Sequence, residues 1–349
     1  MSVNPAQETV SAEVPATGRR HPLVNLFRRR GLRAVLQILL GAGALAWLIA
    51  RSDRHALLEA VSSTRLAYLP LAILTTVGVY WLMAYRWRLM LGVRGHRIPV
   101  SSLFAYFLIS IFFNNFIPGG NMSGDVVRFI YVDRIIHDKP FVLSTLVYEK
   151  FTGLFAVTFF VLGATLISRT YLPAGLAVYI AEAAVALVFL VMLSLASERL
   201  SGYVVRLSGL IGKRARIERA GAGAGRALEA ISELRRHKVM IIQTLFLTLV
   251  IRAVWSLGFV AVARAMSLPL ELPAIFAFVS LVDLIRMLPI TPNGIGLREG
   301  AFVLLLASVG IGREQALMFS LLGFAPLLLM AVAGGVIYIS RARWSSNAA

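Results

Sequence analysis

The chain has 349 residues, 58% of them apolar and only 15% charged, with a mean hydropathy of +0.78. Soluble domains hold about 45–50% apolar and about 25% charged residues, so water alone cannot solvate this fold and lipid must cover part of it. The excess of 35 Lys/Arg over 17 Asp/Glu, +18 in all, lies between apolar runs, which points to topology signals and contacts with anionic headgroups rather than to nucleic acid.

Cysteine is absent, which excludes disulfides, zinc thiolates, iron–sulfur clusters and cysteine nucleophiles. His21, His55, His96, His137 and His237 all fall outside the apolar runs, so neither a haem nor a buried histidine–metal site is expected, and no cofactor is expected.

Residues 1–30 read as a disordered, basic cytoplasmic tail: 1–18 are small, polar and Pro-containing, and Arg19, Arg20, Arg28, Arg29, Arg30 and Arg33 lead into the apolar run 34–50. Ala44-Leu45-Ala46 imitates a signal-peptidase site, but the stretch before the run is too long for a signal peptide. The expectation is a retained signal-anchor helix.

Further apolar runs lie at 66–85, 101–117, 141–168, 171–196, 239–263, 273–289, 297–311 and 316–340. About 20 residues are needed to cross about 30 Å of hydrocarbon. Most runs reach or approach that length, whereas 101–117 and 273–289 each run into a Pro/Gly-rich break followed by a shorter stretch.

These features predict an all-α polytopic membrane protein with about six full spans and two re-entrant hairpins, 101–136 and 273–311, arranged as an inverted repeat. The first membrane half is 31–196 and the second 239–349. Between them, 197–238 carries ten Lys/Arg, a small-residue break at 221–225, and apolar residues spaced by three and four (Leu200, Tyr203, Val204, Leu207, Leu210, Ile211). It reads either as an amphipathic helix lying on an anionic leaflet or as a solvated cytoplasmic loop.

Charge sets the topology. With a cytoplasmic N-terminus and each break at the tip of a hairpin returning to its own side, the inner connections carry 24 Lys/Arg and the outer ones 6. Reading 101–117 as a full crossing instead places the ten-charge linker outside, against the positive-inside rule. The count makes the first hairpin enter from the cytoplasm and the second from outside, with both termini cytoplasmic.

The breaks themselves are alike. The first runs from Phe104-Ala105-Tyr106-Phe107 to Ile117-Pro118-Gly119-Gly120-Asn121-Met122-Ser123-Gly124-Asp125-Val126-Val127-Arg128; the second from Phe276-Ala277-Phe278-Val279 to Leu288-Pro289-Ile290-Thr291-Pro292-Asn293-Gly294-Ile295-Gly296-Leu297-Arg298-Glu299. Proline lacks a donor and glycine loosens a helix, so both segments should unwind, which membrane depth tolerates only inside protein or beside a wet cavity. Helices restarting near Ser123 and Gly296 are expected to aim free N–H groups, which attract anions, into that cavity. The alternative is two ordinary Pro-ended spans with charged interfacial turns.

The residues Asn115-Phe116-Ile117-Pro118-Gly119-Gly120, Gly124-Asp125-Val126-Val127-Arg128, Glu149-Lys150 and Gly294-Ile295-Gly296-Leu297-Arg298-Glu299-Gly300, with Tyr85-Arg86-Trp87-Arg88 ending the second span, resemble the lysylphosphatidylglycerol synthase transmembrane, or flippase-like, family over roughly 32–340. The resemblance implies an inner-membrane protein that moves or handles polar lipids between leaflets. Ser123 stands where that family commonly has glycine, Lys150 where arginine is usual, and Asn293 where glycine is usual. Larger members append a soluble aminoacyl-transferase domain; with nine residues after its last apolar run, this chain is expected to be a stand-alone membrane domain.

Substrate contacts are therefore expected from Pro118, Gly119, Gly120, Gly124, Asp125, Arg128, Glu149, Lys150, Pro289, Asn293, Gly294, Gly296, Arg298 and Glu299. Arg128 and Arg298 would hold phosphate, and Asp125, Glu149 and Glu299 would select cationic groups or couple protons. Glu149 and Lys150 read equally as an interfacial pair capping a span.

Glu182 and Arg252 lie near mid-span, where an isolated charge is disfavoured by about 2.5–3.5 kcal/mol; they are candidates to pair across the halves, as structural glue or as part of a lipid path. Asp283 and Arg286, three apart, suit a local ion pair or a substrate role. Arg86 and Arg88 read as snorkelling side chains or as headgroup contacts.

The leading function is transport of a phospholipid or polyprenyl-phosphate lipid, without an ATP-binding Gly-Lys-Ser/Thr loop and without a recognised catalytic motif. The alternatives are a membrane-embedded glycosyl- or headgroup transferase and a scaffold recruiting an enzyme through 197–238. The oligomeric state is open, a homo-oligomer included.

Overall fold

A computed structural model describes residues 31–116, 121–167, 237–286 and 290–347. The tail at 1–30, Pro118, Gly119, Gly120, Pro289, the run 171–196 with Glu182, and the basic stretch as far as 236 lie outside the described residues. The described residues form ten α-helices: α1 (Gly31–Ala50), α2 (Arg54–Ser62), α3 (Leu69–Leu91), α4 (Val100–Phe116), α5 (Asn121–Ile136), α6 (Lys139–Ile167), α7 (Lys238–Ala265), α8 (Leu272–Arg286), α9 (Leu297–Ala307) and α10 (Arg313–Asn347).

Among the described residues, four stretches are long and apolar enough to cross a bilayer: Leu66–Arg94, Lys139–Gly163, Lys238–Ala265 and Arg313–Arg341. They carry large apolar side chains outward as well as inward. On α3, for instance, Leu71, Leu74 and Trp81 are exposed while Val79, Trp87 and Met90 are buried, the pattern of a helix solvated by lipid on one side and protein on the other. By contrast α4, α5, α8 and α9 have 17, 16, 15 and 11 residues. At about 1.5 Å per residue, none of them spans hydrocarbon about 30 Å thick.

Local signals explain the boundaries. Pro70 enters α3 in the first turn, where its missing N–H costs nothing, and Gly95 in the left-handed region (φ 78°) turns the chain after it. Asp53 caps α2 by accepting from the His55 N–H at 2.8 Å. Asp138 accepts from the Phe141 N–H at 3.2 Å at the start of α6 and also pairs with Arg94.

The two halves share one plan. α3–α4–α5–α6 and α7–α8–α9–α10 each run long, short, short, long. α3 packs along α7, α4 against α10, and α8 against α6, so exchanging the halves maps the first contact onto itself and the other two onto each other. α3 and α7 are antiparallel: the Arg65 N–H donates to Ala265 O at 2.8 Å at one end, and Arg86 Nη1 donates to Thr248 Oγ1 at 2.8 Å toward the other.

Close approach at the α4–α10 contact depends on Gly334, where a Cβ would overlap the Leu108 carbonyl. At the equivalent α6–α8 contact, Phe160 and Phe276 meet with centroids 5.4 Å apart.

The main core lies in the second half, where Phe259 packs with Phe302, Phe319 and Phe324 at 5.3–5.5 Å between centroids. A second core surrounds Trp87, Phe107 and Phe141 in the first half. α1 contacts α9 and the turn at Pro292–Gly294. Its Gly41 faces Thr291 and the Ile295 carbonyl.

Candidate functional site

A cavity of about 260 Å³ lies where α3 to α6 of the first half meet α7 and α8 of the second. Its described lining includes Arg86, Arg128, Lys150, Arg252 and Arg286 with Asp125, Glu149 and Asp283, beside apolar residues such as Val79, Phe107, Ile111 and Trp255. Charged groups in a largely apolar interior must be paired or they are strongly disfavoured. Here they form two clusters.

The first cluster is centred on Glu149, 5% exposed at the start of the apolar part of α6. Its Oε2 accepts from Arg128 Nη1 at 2.8 Å, and its Oε1 lies 3.3 Å from Arg86 Nη2. Arg128 also donates to Asp125 Oδ1 at 2.5 Å, one helical turn back on α5. Asp125 Oδ2 pairs with Lys150 Nζ at 2.6 Å.

The Arg128 guanidinium lies over Phe107 (4.2 Å) and Trp87 (5.1 Å), and the Trp87 indole N–H donates to Thr145 Oγ1 at 3.0 Å. Glu149 and Lys150 thus join the first short pair through Arg128 and Asp125 of α5. Arg86 faces inward and is 3% exposed, so it does not snorkel; Arg88, two residues on, is exposed.

The second cluster is centred on Asp283 of α8. It pairs with Arg252 of α7 and accepts from Arg286 Nη1 at 2.6 Å. The mid-span Arg252 therefore has its carboxylate on α8; Glu182, the partner expected from the sequence, lies outside the described residues. Arg286 continues to Asn293, donating from Nη2 to Oδ1 at 2.7 Å. Asn293 Nδ2 in turn donates to Asn115 Oδ1 of α4 at 2.6 Å, joining the second break to the first short pair.

The restarting helices differ from expectation. α5 begins at Asn121, and the Gly124 N–H donates to Asn114 Oδ1 at 2.7 Å. A Cβ at Gly124 would lie 2.6 Å from the Ser110 carbonyl, so α5 lies against α4 as only glycine permits. At the second restart the Gly296 N–H donates to Glu299 Oε2 at 2.6 Å, a capping arrangement. Both donors are taken by side chains, because in a dry interior a nearby carboxylate or amide satisfies a backbone N–H at once.

Arg298 and Glu299 also depart from their expected role. Arg298 Nε pairs with Glu299 Oε1 at 2.5 Å, its guanidinium lies over Phe324 at 4.2 Å, and neither residue lines the cavity. Glu299, fully buried, holds its own helix end through the Gly296 N–H. Among the described residues, Arg298 Nη1 has no hydrogen-bond partner.

Asn293, Gly294 and Gly296 adopt left-handed backbone (φ 47°, 73° and 83°), which shapes the second break. None of the three is in the described lining, but Asn293 bonds to the cavity-lining Arg286 and Gly294 lies against its side chain.

Sequence reasoning missed Ser110, Asn114, Asn115, Tyr80 and Thr248. Each is an uncharged polar residue in an apolar run, and an asparagine pair just before a Pro-Gly break was the one signal available. Among the described residues, no group of three or more His, Asp or Glu is placed to hold a metal ion.

No curated protein matches the chain significantly. The family described as lysylphosphatidylglycerol synthase TM region matches residues 34–335, which takes in α3 to α9 whole, both breaks and every charged residue of the cavity. The chain is a member of the lysylphosphatidylglycerol synthase TM region family, an all-helical membrane protein with a role connected to membrane lipids.

Proposed function

We propose that the protein is a flippase-type transporter that carries a phospholipid or polyprenyl-phosphate lipid across the cytoplasmic membrane. The headgroup occupies the cavity and the tails stay in the bilayer. The observation that carries this reading is the cavity at the junction of two halves built on one plan, lined by five cationic and three acidic side chains.

Short helix pairs that cannot cross the bilayer alone suit re-entrant hairpins, and antiparallel α3 and α7 suit entry from opposite faces. The distribution of Lys/Arg favours cytoplasmic termini. Each carboxylate in the cavity is held by a guanidinium or ammonium, an arrangement suited to recognising charge rather than to general acid–base chemistry, which needs a carboxyl free to exchange its proton.

The test is headgroup translocation in proteoliposomes. Arg128→Ala is expected to slow it at least tenfold. Lys150→Gln, at a half-exposed position that leaves the buried pairs intact, is expected to slow it severalfold. Unchanged rates in both variants remove the first cluster from the mechanism. Formation of a new product from a lipid-linked sugar with divalent metal present would instead establish a transferase.

A further inference from the structure

Buried aromatic donors near the cavity have acceptors where the packing provides them. The Trp87 indole N–H donates to Thr145 Oγ1 at 3.0 Å, and the Tyr148 hydroxyl lies 3.2 Å from Thr244 Oγ1, as expected of buried polar groups. Two aromatic side chains that line the cavity depart from this pattern. Among the described residues, no hydrogen bond reaches the hydroxyl of Tyr80 on α3. The indole N–H of Trp255 on α7 has no acceptor either, although the residue is only 9% exposed.

The antiparallel pairing of α3 and α7 sets their places. Arg86 Nη1 meets Thr248 Oγ1 at 2.8 Å. From that contact the chain runs back along α3 to Tyr80 and onward along α7 to Trp255, about 9 and about 10 Å in the same direction. Tyr80 and Trp255 therefore stand at one level of the cavity, one from each half. Tyr80 packs against both cores. It is within electrostatic reach of Arg128 and Glu149 in one cluster and of Asp283 and Arg286 in the other, an uncharged polar group between two sets of ion pairs.

Chemistry constrains the missing partner. An indole N–H only donates and a phenol O–H donates readily, so both need an acceptor, and an ammonium group offers none. A phosphoryl group carries several acceptor oxygens on one atom. It can engage both donors without opening a buried ion pair, an exchange that burial strongly disfavours. A buried donor without an acceptor destabilises the protein, and a ligand that supplies oxygens recovers that loss on binding.

We propose that Tyr80 and Trp255 are hydrogen-bond contacts of the lipid headgroup, donating from opposite halves to its phosphoryl oxygens while the ion pairs around Glu149 and Asp283 stay closed. This rests on the transport reading only in taking the ligand to be a lipid.

The experiment is equilibrium binding to the purified, delipidated full chain in detergent micelles. The probes are phosphatidylglycerol, phosphatidic acid, farnesyl phosphate, monogalactosyl diacylglycerol and inorganic phosphate. At least one of the three phosphorylated lipids is expected to bind at least tenfold more tightly than the phosphate-free glycolipid and than inorganic phosphate.

Tyr80→Phe deletes one oxygen and is expected to weaken that lipid about tenfold. The unfolding temperature of the ligand-free variant should equal or exceed the parent's, because no bond within the protein is lost. Trp255→Phe, which keeps an aromatic ring and deletes the N–H, is expected to weaken the same lipid severalfold.

Parent-like binding in either variant overturns that residue's assignment, and a lower unfolding temperature for Tyr80→Phe makes its hydroxyl structural. Glycolipid binding as tight as the best phosphorylated lipid overturns the phosphoryl contact, and equally tight inorganic phosphate overturns the lipid. No binding of any probe overturns the whole.

Translocation measured in parallel keeps the two claims apart. Selective binding that Tyr80→Phe weakens, in a protein that moves no lipid, ends the transport reading and leaves these contacts standing. Translocation and binding by Tyr80→Phe at the parent's level do the reverse.

Discussion

The first and second breaks look like copies in the sequence, yet they use their charges in opposite ways. At the first, Asp125 and Arg128 on α5 face the cavity and reach across to Glu149 and Lys150 on α6. At the second, Arg298 and Glu299 turn on each other and on the Gly296 N–H, behind Phe324. The second half's charge in the cavity comes instead from Asp283 and Arg286, just before the break, with Arg252 from α7. A repeated motif therefore preserves the shape of the break while leaving each copy free to act as a contact surface or as a backbone clamp.

The comparison is broken most severely at Glu149. Glu149→Ala strands two buried guanidinia and is expected to cost about 3–5 kcal/mol, read as loss of monodisperse protein in detergent and a lower unfolding temperature; a variant as stable as the parent would show that the first cluster does not depend on its central carboxylate.

Next is Gly296→Ala. Its φ is 83°, and a Cβ would lie 2.7 Å from Ala44 Cβ, so about 2–3 kcal/mol is expected from strain and overlap together. Asn293 allows a finer division. Asn293→Gly keeps the left-handed backbone but deletes the bonds to Asn115 and Arg286, for about 1–2 kcal/mol; Asn293→Ala adds the backbone penalty and should be worse by about 1 kcal/mol. Thermal unfolding of the pair reads the difference directly.

The smallest stability effect is expected at Lys150→Gln. Its side chain is 48% exposed, so solvent screening limits the change to under about 1 kcal/mol, even though transport slows. A large stability loss there would make the first cluster structural rather than functional.

Much of the architecture could be read from apolar run length. The stretches 101–117 and 273–289 end in Pro/Gly segments, and α4 and α8 are correspondingly short. Asp283 and Arg286, three apart on one helix face, form the local pair that their spacing suits.

Partners distant in the chain were not legible. A mid-span arginine demands a carboxylate, but nothing in Arg252's own helix distinguishes Asp283 from Glu182. Asn115 and Asn293 meet across 178 positions, a contact that follows from the packing of the two halves and not from any local pattern. Asn293 also stands in left-handed backbone. Its φ of 47° explains why glycine suits the position, and the two side-chain bonds explain what asparagine adds.

α1 also bears on how the chain is assembled. Gly41 and Ala44 lie against Thr291, the Ile295 carbonyl and Gly296, so a helix translated before the other described ones rests on a segment made long afterwards. Until residues 291–296 are made, its small-residue face lacks that partner. The second break, held also by Asn115 of α4, gains this contact only with α1 against it, so the fastening of these two pieces cannot precede synthesis of the break.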